Sequence, residues 1–144
     1  MMILCYLPQN TSDDEKHQRI DYLIDKYQMF FLSEEDIITS TETNQKSLRL
    51  ILKKSHISLF WIKSLEEIPF TPTQISELIL FCINNGIDFH SESDNLCFTK
   101  KDFNIVYPTI FEEFRKLVKR EYIFSITLLY IYYTLFEKKI INVS

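Results

Sequence analysis

Four basic side chains, Arg115, Lys116, Lys119 and Arg120, form the one dense cationic cluster in the 144-residue chain. Such a cluster can meet a nucleic-acid backbone, each phosphate contact adding salt dependence. It can equally be a solvated helix face, with Glu112 pairing to Lys116 four residues on. The acidic pairs Asp13-Asp14, Glu34-Glu35 and Glu66-Glu67 read as solubilising charges at loops and helix starts rather than as metal ligands. Cys5, Cys82 and Cys97 are odd in number and make no C-x-x-C, so neither a disulfide framework nor a structural zinc site is expected. Each sits in an apolar stretch and reads as a small buried residue. His17, His56 and His90 are scattered without ligand spacing. A single glycine cannot build a phosphate-cradling loop. No Ser–His–Asp arrangement or acid/base dyad stands out, and neither a metal nor another cofactor is expected.

The elements that must position these groups follow from patterning. Residues 2–7, MILCYL, form a continuous apolar run closed by Pro8, as in a buried strand. Ser12 and Glu15 have capping-box spacing. Ile20, Leu23, Ile24 and Tyr27 then recur at helical intervals, giving a helix over residues 13–27. Residues 29–32 are a second strand candidate, and the polar residues 33–44 a loop. Residues 45–54 form a short helix with Leu48, Ile51 and Leu52 on one face, and residues 57–62 a third strand. After a loop over residues 63–70, Thr71-Pro72 supplies an N-cap with proline at the first helical position. The stripe Ile75, Leu78, Ile79, Cys82, Ile83 runs to Gly86, where a residue with positive φ ends the helix. Residues 87–90 are a fourth strand and 96–98 a short edge strand. From Thr99 a long helical pattern begins, with Pro108 marking a kink or its true start.

Strands alternating with helices predict an α/β fold: a mostly parallel, four- to five-stranded sheet flanked by helices, with a long C-terminal helix. The length fits one domain, here residues 1–121, followed by an apolar extension over residues 122–144. Hydrophobic content of 46% and charged content of 25% are ordinary for a packed protein. The net charge of −4 argues against a free-standing nucleic-acid binder, so DNA is a weak expectation. The first ten residues lack a signal peptide's charged region and cleavage site, and a cytoplasmic setting is expected. Residues 122–136 carry no charge over fifteen positions, short of the roughly twenty a membrane helix needs. The expectation is core or subunit contact, without membrane. Their Tyr, Ile, Phe and Thr content also suits a strand, although no turn residue separates them from Val118.

The order of these elements, and several local strings, resemble the resolvase/invertase family of small serine recombinases over residues 2–121. The strings are Tyr6 to Thr11, Arg19-Ile20-Asp21-Tyr22-Leu23, residues 45–52, Leu59-Phe60-Trp61, Gly86-Ile87-Asp88-Phe89, and residues 111–121. The resemblance implies that fold and a DNA recombinase in which a serine attacks a phosphate while arginines stabilise charge, without metal. The chemistry needs a hydroxyl nucleophile and fixed cations. At the matching positions stand Pro8 and Gln45 in place of arginine and Asn10 in place of the serine. The two arginines after the tryptophan fall on Leu65 and Ile68 ungapped, or on Ser64 and Glu67 with one deletion; Glu66 and Glu67 would repel a phosphate. Thr11 and Ser12 are the only displaced hydroxyls beside Asn10. Nothing after Glu121 is long or polar enough for the family's DNA-binding helix-turn-helix domain. The resemblance therefore implies an inactive relative that dimerises or regulates in connection with DNA recombination; the alternative is a divergent active recombinase using a displaced hydroxyl. Its expected dimer contact is Phe111, Phe114, Leu117 and Val118, which could instead cover the chain's own sheet. The expected partner is a second copy or a recombinase-like protein.

Overall fold

The computed structural model describes residues 1–99. Five strands form one sheet, β1 (Ile3–Tyr6), β2 (Ile37–Ser40), β3 (Leu59–Ile62), β4 (Asp88–Ser91) and β5 (Leu96–Phe98), in the order β2-β1-β3-β4-β5. The first four are parallel, and β5 returns antiparallel to β4 at the edge. Helices α1 (Asp13–Lys26), α2 (Gln45–Lys54) and α3 (Pro72–Asn84) make the crossovers. The mostly parallel α/β class expected from patterning is the class found.

Strand alternation divides the core in two. Leu4, Tyr6, Phe60, Ile62, Phe89 and Leu96 face α2 and α3, packing with Leu48, Leu52, Leu78, Ile79 and Cys82. Ile3, Cys5, Leu59 and Trp61 face the other way, toward Ile20 and Leu23 of α1. A parallel sheet buried on both faces explains why β1 and β3 are apolar at every position. Phe60 stacks on Phe89 at 5.0 Å and lies 6.1 Å from the Tyr6 ring.

Local chemistry sets the helix ends. Ser12 and Thr71 accept the N–H groups of Glu15 and Gln74, and Gln74 reaches back to Thr71 to close a full capping box. At the end of α3, Gly86 adopts φ +70°; its N–H donates to Ile83 O at 3.2 Å, and Ile87 N–H donates to Cys82 O at 2.8 Å. This is the paired hydrogen bonding of a Schellman cap, which wants a residue without Cβ at that point.

Three expectations are corrected. Residues 29–32 are not a strand: Gln28–Phe30 is a one-turn 3-10 helix and Phe31 is left-handed. The second strand lies inside the polar stretch, at Ile37–Ser40, where an edge position leaves only Ile37 fully buried. Cys97 is exposed, because alternation on the edge strand buries Leu96 and Phe98 and turns the residue between them outward. Elsewhere the limits move slightly: β3 starts at Leu59, β4 covers Asp88–Ser91, and the 63–70 loop holds a 3-10 turn at Leu65–Glu67. The long C-terminal helix, the contact at Phe111, Phe114, Leu117 and Val118, the basic cluster Arg115, Lys116, Lys119 and Arg120, and the extension 122–144 lie outside the described residues. Among the described residues, no helix is long and apolar enough to cross a membrane.

Candidate functional site at the carboxyl edge of the sheet

Chain direction reverses between β1 and β3. From β1 the chain moves outward through α1 to β2, and from β3 it moves the other way through α3 to β4. The loops leaving β1 and β3 therefore part, and the crevice between them is where open α/β sheets bind ligands. A cleft of about 380 Å³ lies on the β1 side, lined by residues 8–12 with Glu15 and Arg19, and the β3 exit loop reaches it through the Arg19–Glu67 pair.

The β1 exit loop begins with Leu7 N–H donating to Ser40 O at 2.9 Å. Pro8 follows, and the chain turns at Gln9-Asn10 with Asn10 at φ +69°, a conformation asparagine tolerates. The Asn10 amide cannot attack phosphorus. The Thr11 hydroxyl donates to Pro8 O at 2.5 Å, which folds it back on its own loop. Ser12 Oγ accepts Glu15 N–H at 3.2 Å and holds the first turn of α1.

The capping box expected at Ser12 and Glu15 is half formed, because the Glu15 carboxylate turns to Arg19. Arg19 is 7% exposed, on the buried side of α1. Its Nη1 and Nη2 donate to Glu67 at 2.6 and 2.9 Å, in the bidentate fork that suits guanidinium and carboxylate. Its Nη2 and Nε donate to Glu15 at 3.0 and 3.3 Å. Four of the five guanidinium N–H groups are thus spent within the protein. The hydrogen bonds that Arg19 donates to Glu67 raise its pKa against the opposing effect of burial.

Two carboxylates on one guanidinium leave the cleft with a negative surplus. The helix amino terminus offers no relief. Its positive end is met by Asp13, Asp14 and Glu15 in the first turn of α1. Cys5 lies near the same ion pair; burial pushes its pKa up to about 12, so it is a neutral thiol at pH 7 and no nucleophile.

The sequence-derived site residues scatter in part. Pro8, Asn10, Thr11 and Ser12 line the cleft, and Glu67 reaches its edge through Arg19. Gln45 opens α2 and donates to Gln74 O and Glu77, so it faces α3. Ser64 caps the 3-10 turn by accepting Glu66 N–H. Arg19 was absent from the sequence-derived site, although the Glu15–Arg19 spacing on a helix with an apolar face was its visible signal.

A second polar cluster, also unforeseen, joins α1 to the end of β4. The Glu92 carboxylate accepts Lys26 Nζ at 2.6 Å on each oxygen, Trp61 Nε1 at 3.4 Å and the Tyr22 hydroxyl, and meets His90 Nε2. Burial alone would raise the Glu92 pKa, but the bonds from Lys26, Tyr22 and His90 outweigh it and bring it down to about 2. Asp94 ties the neighbouring loops by accepting Leu65 N–H at 2.9 Å and the Ser91 hydroxyl at 2.6 Å. Among the described residues no group of three or more His, Cys, Asp or Glu is gathered to hold a metal ion. No protein-family model matches the chain, and no curated protein matches it either.

Proposed function

We propose that the chain is a serine-recombinase-like domain without strand-exchange activity, acting by association with a second copy or with a recombinase-like partner in connection with DNA recombination. The observation that carries this reading is the engagement of Arg19 by both Glu15 and Glu67 at the cleft. A phosphoryl-transfer site needs cations aimed at developing negative charge. Here the buried guanidinium is already matched by two carboxylates, and a phosphate entering the cleft meets a net repulsion. The hydroxyls add to the argument. Thr11 is bonded to its own loop and Ser12 caps α1, and among the described residues neither has a base as a hydrogen-bond partner. The strand-helix order and the local strings of the resolvase/invertase pattern support the family side of the proposal.

The test incubates the full chain with supercoiled plasmid and quenches it in denaturant. Neither nicking nor a covalent protein–DNA adduct is expected at low or moderate salt. An adduct that is lost on Thr11→Val or Ser12→Ala would overturn the proposal and establish the displaced-hydroxyl alternative.

A further inference from the structure

The connection between α1 and β2 projects Met29, Phe30 and Phe31, at 74%, 51% and 92% exposure. Three consecutive large apolar side chains in solvent forfeit burial that a core would gain. Phe31 carries a second cost, since its backbone is left-handed at φ +52°, ψ +45°, a conformation a bulky residue avoids. The loop is nevertheless held tightly. Phe30 and Phe31 N–H donate to Tyr27 O and Gln28 O, each at 3.0 Å. Leu32 is buried in the α1-side core, with Tyr27 packed against it. Immediately afterwards the Ser33 and Asp36 capping box fixes the turn Glu34–Asp36. An apolar knuckle this exposed, with Phe31 in a left-handed conformation, gains little burial for the fold, and such outliers mark interaction sites.

We propose that this knuckle is a docking surface for a second copy of the chain. The choice of partner rests on charge. The knuckle adjoins three acidic residues, Glu34, Glu35 and Asp36, so its complement is apolar with a basic rim. The chain carries that combination in its own sequence, where residues 111–120 interleave Phe111, Phe114, Leu117 and Val118 with Arg115, Lys116, Lys119 and Arg120. The acidic flank also disfavours an anionic membrane as the occupant. This inference rests on the association reading proposed above and names the surface that performs it.

Sedimentation velocity of the full chain over a concentration series tests it. The unaltered protein forms a dimer that weakens as salt rises. Phe31→Gly removes the ring and relieves the left-handed strain, so it weakens self-association at least tenfold while the melting temperature holds or rises; a merely structural phenylalanine would lower it. Glu34→Lys with Glu35→Lys, and separately Arg115→Glu with Lys116→Glu, each weaken the dimer, and mixing the two variants restores a heterodimer. A monomer at every concentration overturns the proposal. A dimer indifferent to Phe31→Gly and to the charge reversals also overturns it, while leaving the association reading intact. Binding to neutral phosphatidylcholine vesicles that is lost with Phe31→Gly, without self-association, overturns it in favour of a lipid surface. DNA cleavage, by contrast, defeats the parent reading and is scored in the plasmid assay.

Discussion

Replacing Glu67 with glutamine removes the charge from a carboxylate that grips a buried guanidinium at two points, 2.6 and 2.9 Å apart from it. Breaking a buried pair from one side costs about 3–5 kcal/mol because the remaining charge is stranded. Arg19 is not wholly stranded here, since Glu15 stays in place, but that side chain is 43% exposed and its bonds are longer. The expected loss is therefore about 2–3 kcal/mol. With a urea slope of about 1.5 kcal/mol per molar, the unfolding midpoint falls by about 1.3–2 M. Glu15→Gln, at the exposed end of the same network, costs about 0.5 kcal/mol, or about 0.3 M. The double replacement Arg19→Met with Glu67→Leu lies within about 1 kcal/mol of the parent, because it removes the desolvated charges together. Equilibrium urea denaturation of these proteins decides the matter. A Glu67→Gln cost no greater than that of Glu15→Gln would refute the assignment of Arg19 as a guanidinium held chiefly by Glu67. So would losses of Arg19→Met and Glu67→Leu, each made singly, that simply add in the double variant.

The Glu92 cluster gives an acid-sensitive term. A carboxyl whose pKa falls from an ordinary 4.5 to about 2 on folding contributes stability above pH 4.5, and that contribution is lost as pH falls toward 2. At most roughly 3 kcal/mol is involved, so Glu92→Gln flattens the stability profile between about pH 5 and pH 2 when denaturation is repeated across that range. The thiols should separate by accessibility: with Cys97 exposed and Cys5 and Cys82 buried, a thiol-reactive dye labels one of the three in the native protein and all three in denaturant. Gly86→Ala places a Cβ at φ +70° with no neighbour within 4 Å, so the cost is conformational rather than steric. A loss of about 1 kcal/mol is expected by thermal denaturation, with Gly86→Asn losing less.

Much of the fold was legible because its signals are local. Ser12, Thr71-Pro72 and Gly86 announce helix limits through hydrogen bonds made within a few residues. The apolar runs at β1 and β3 announce strands that must be covered on both faces. β2 was hidden because it is an edge strand, where Thr39 and Ser40 are tolerated and composition resembles a loop. The neighbouring Met29–Phe31 run misled for the opposite reason, as its hydrophobicity faces solvent. Cys97 failed the same inference, since an apolar neighbourhood does not say which way an edge residue points.

The candidate site was less legible. Sequence placed Pro8, Asn10, Thr11 and Ser12 after the first strand, where the cleft is lined. It read Glu66-Glu67 as solubilising charge. Only the tertiary structure brings Glu67 across 48 positions to Arg19, and Glu92 across 66 to Lys26. The sequence by itself determined the alternation of strands and helices and the helix limits, because periodicity and capping act over one or two turns. The pairing of charges at the carboxyl edge was decided by strand order, since which loops meet depends on the crossovers of the whole sheet.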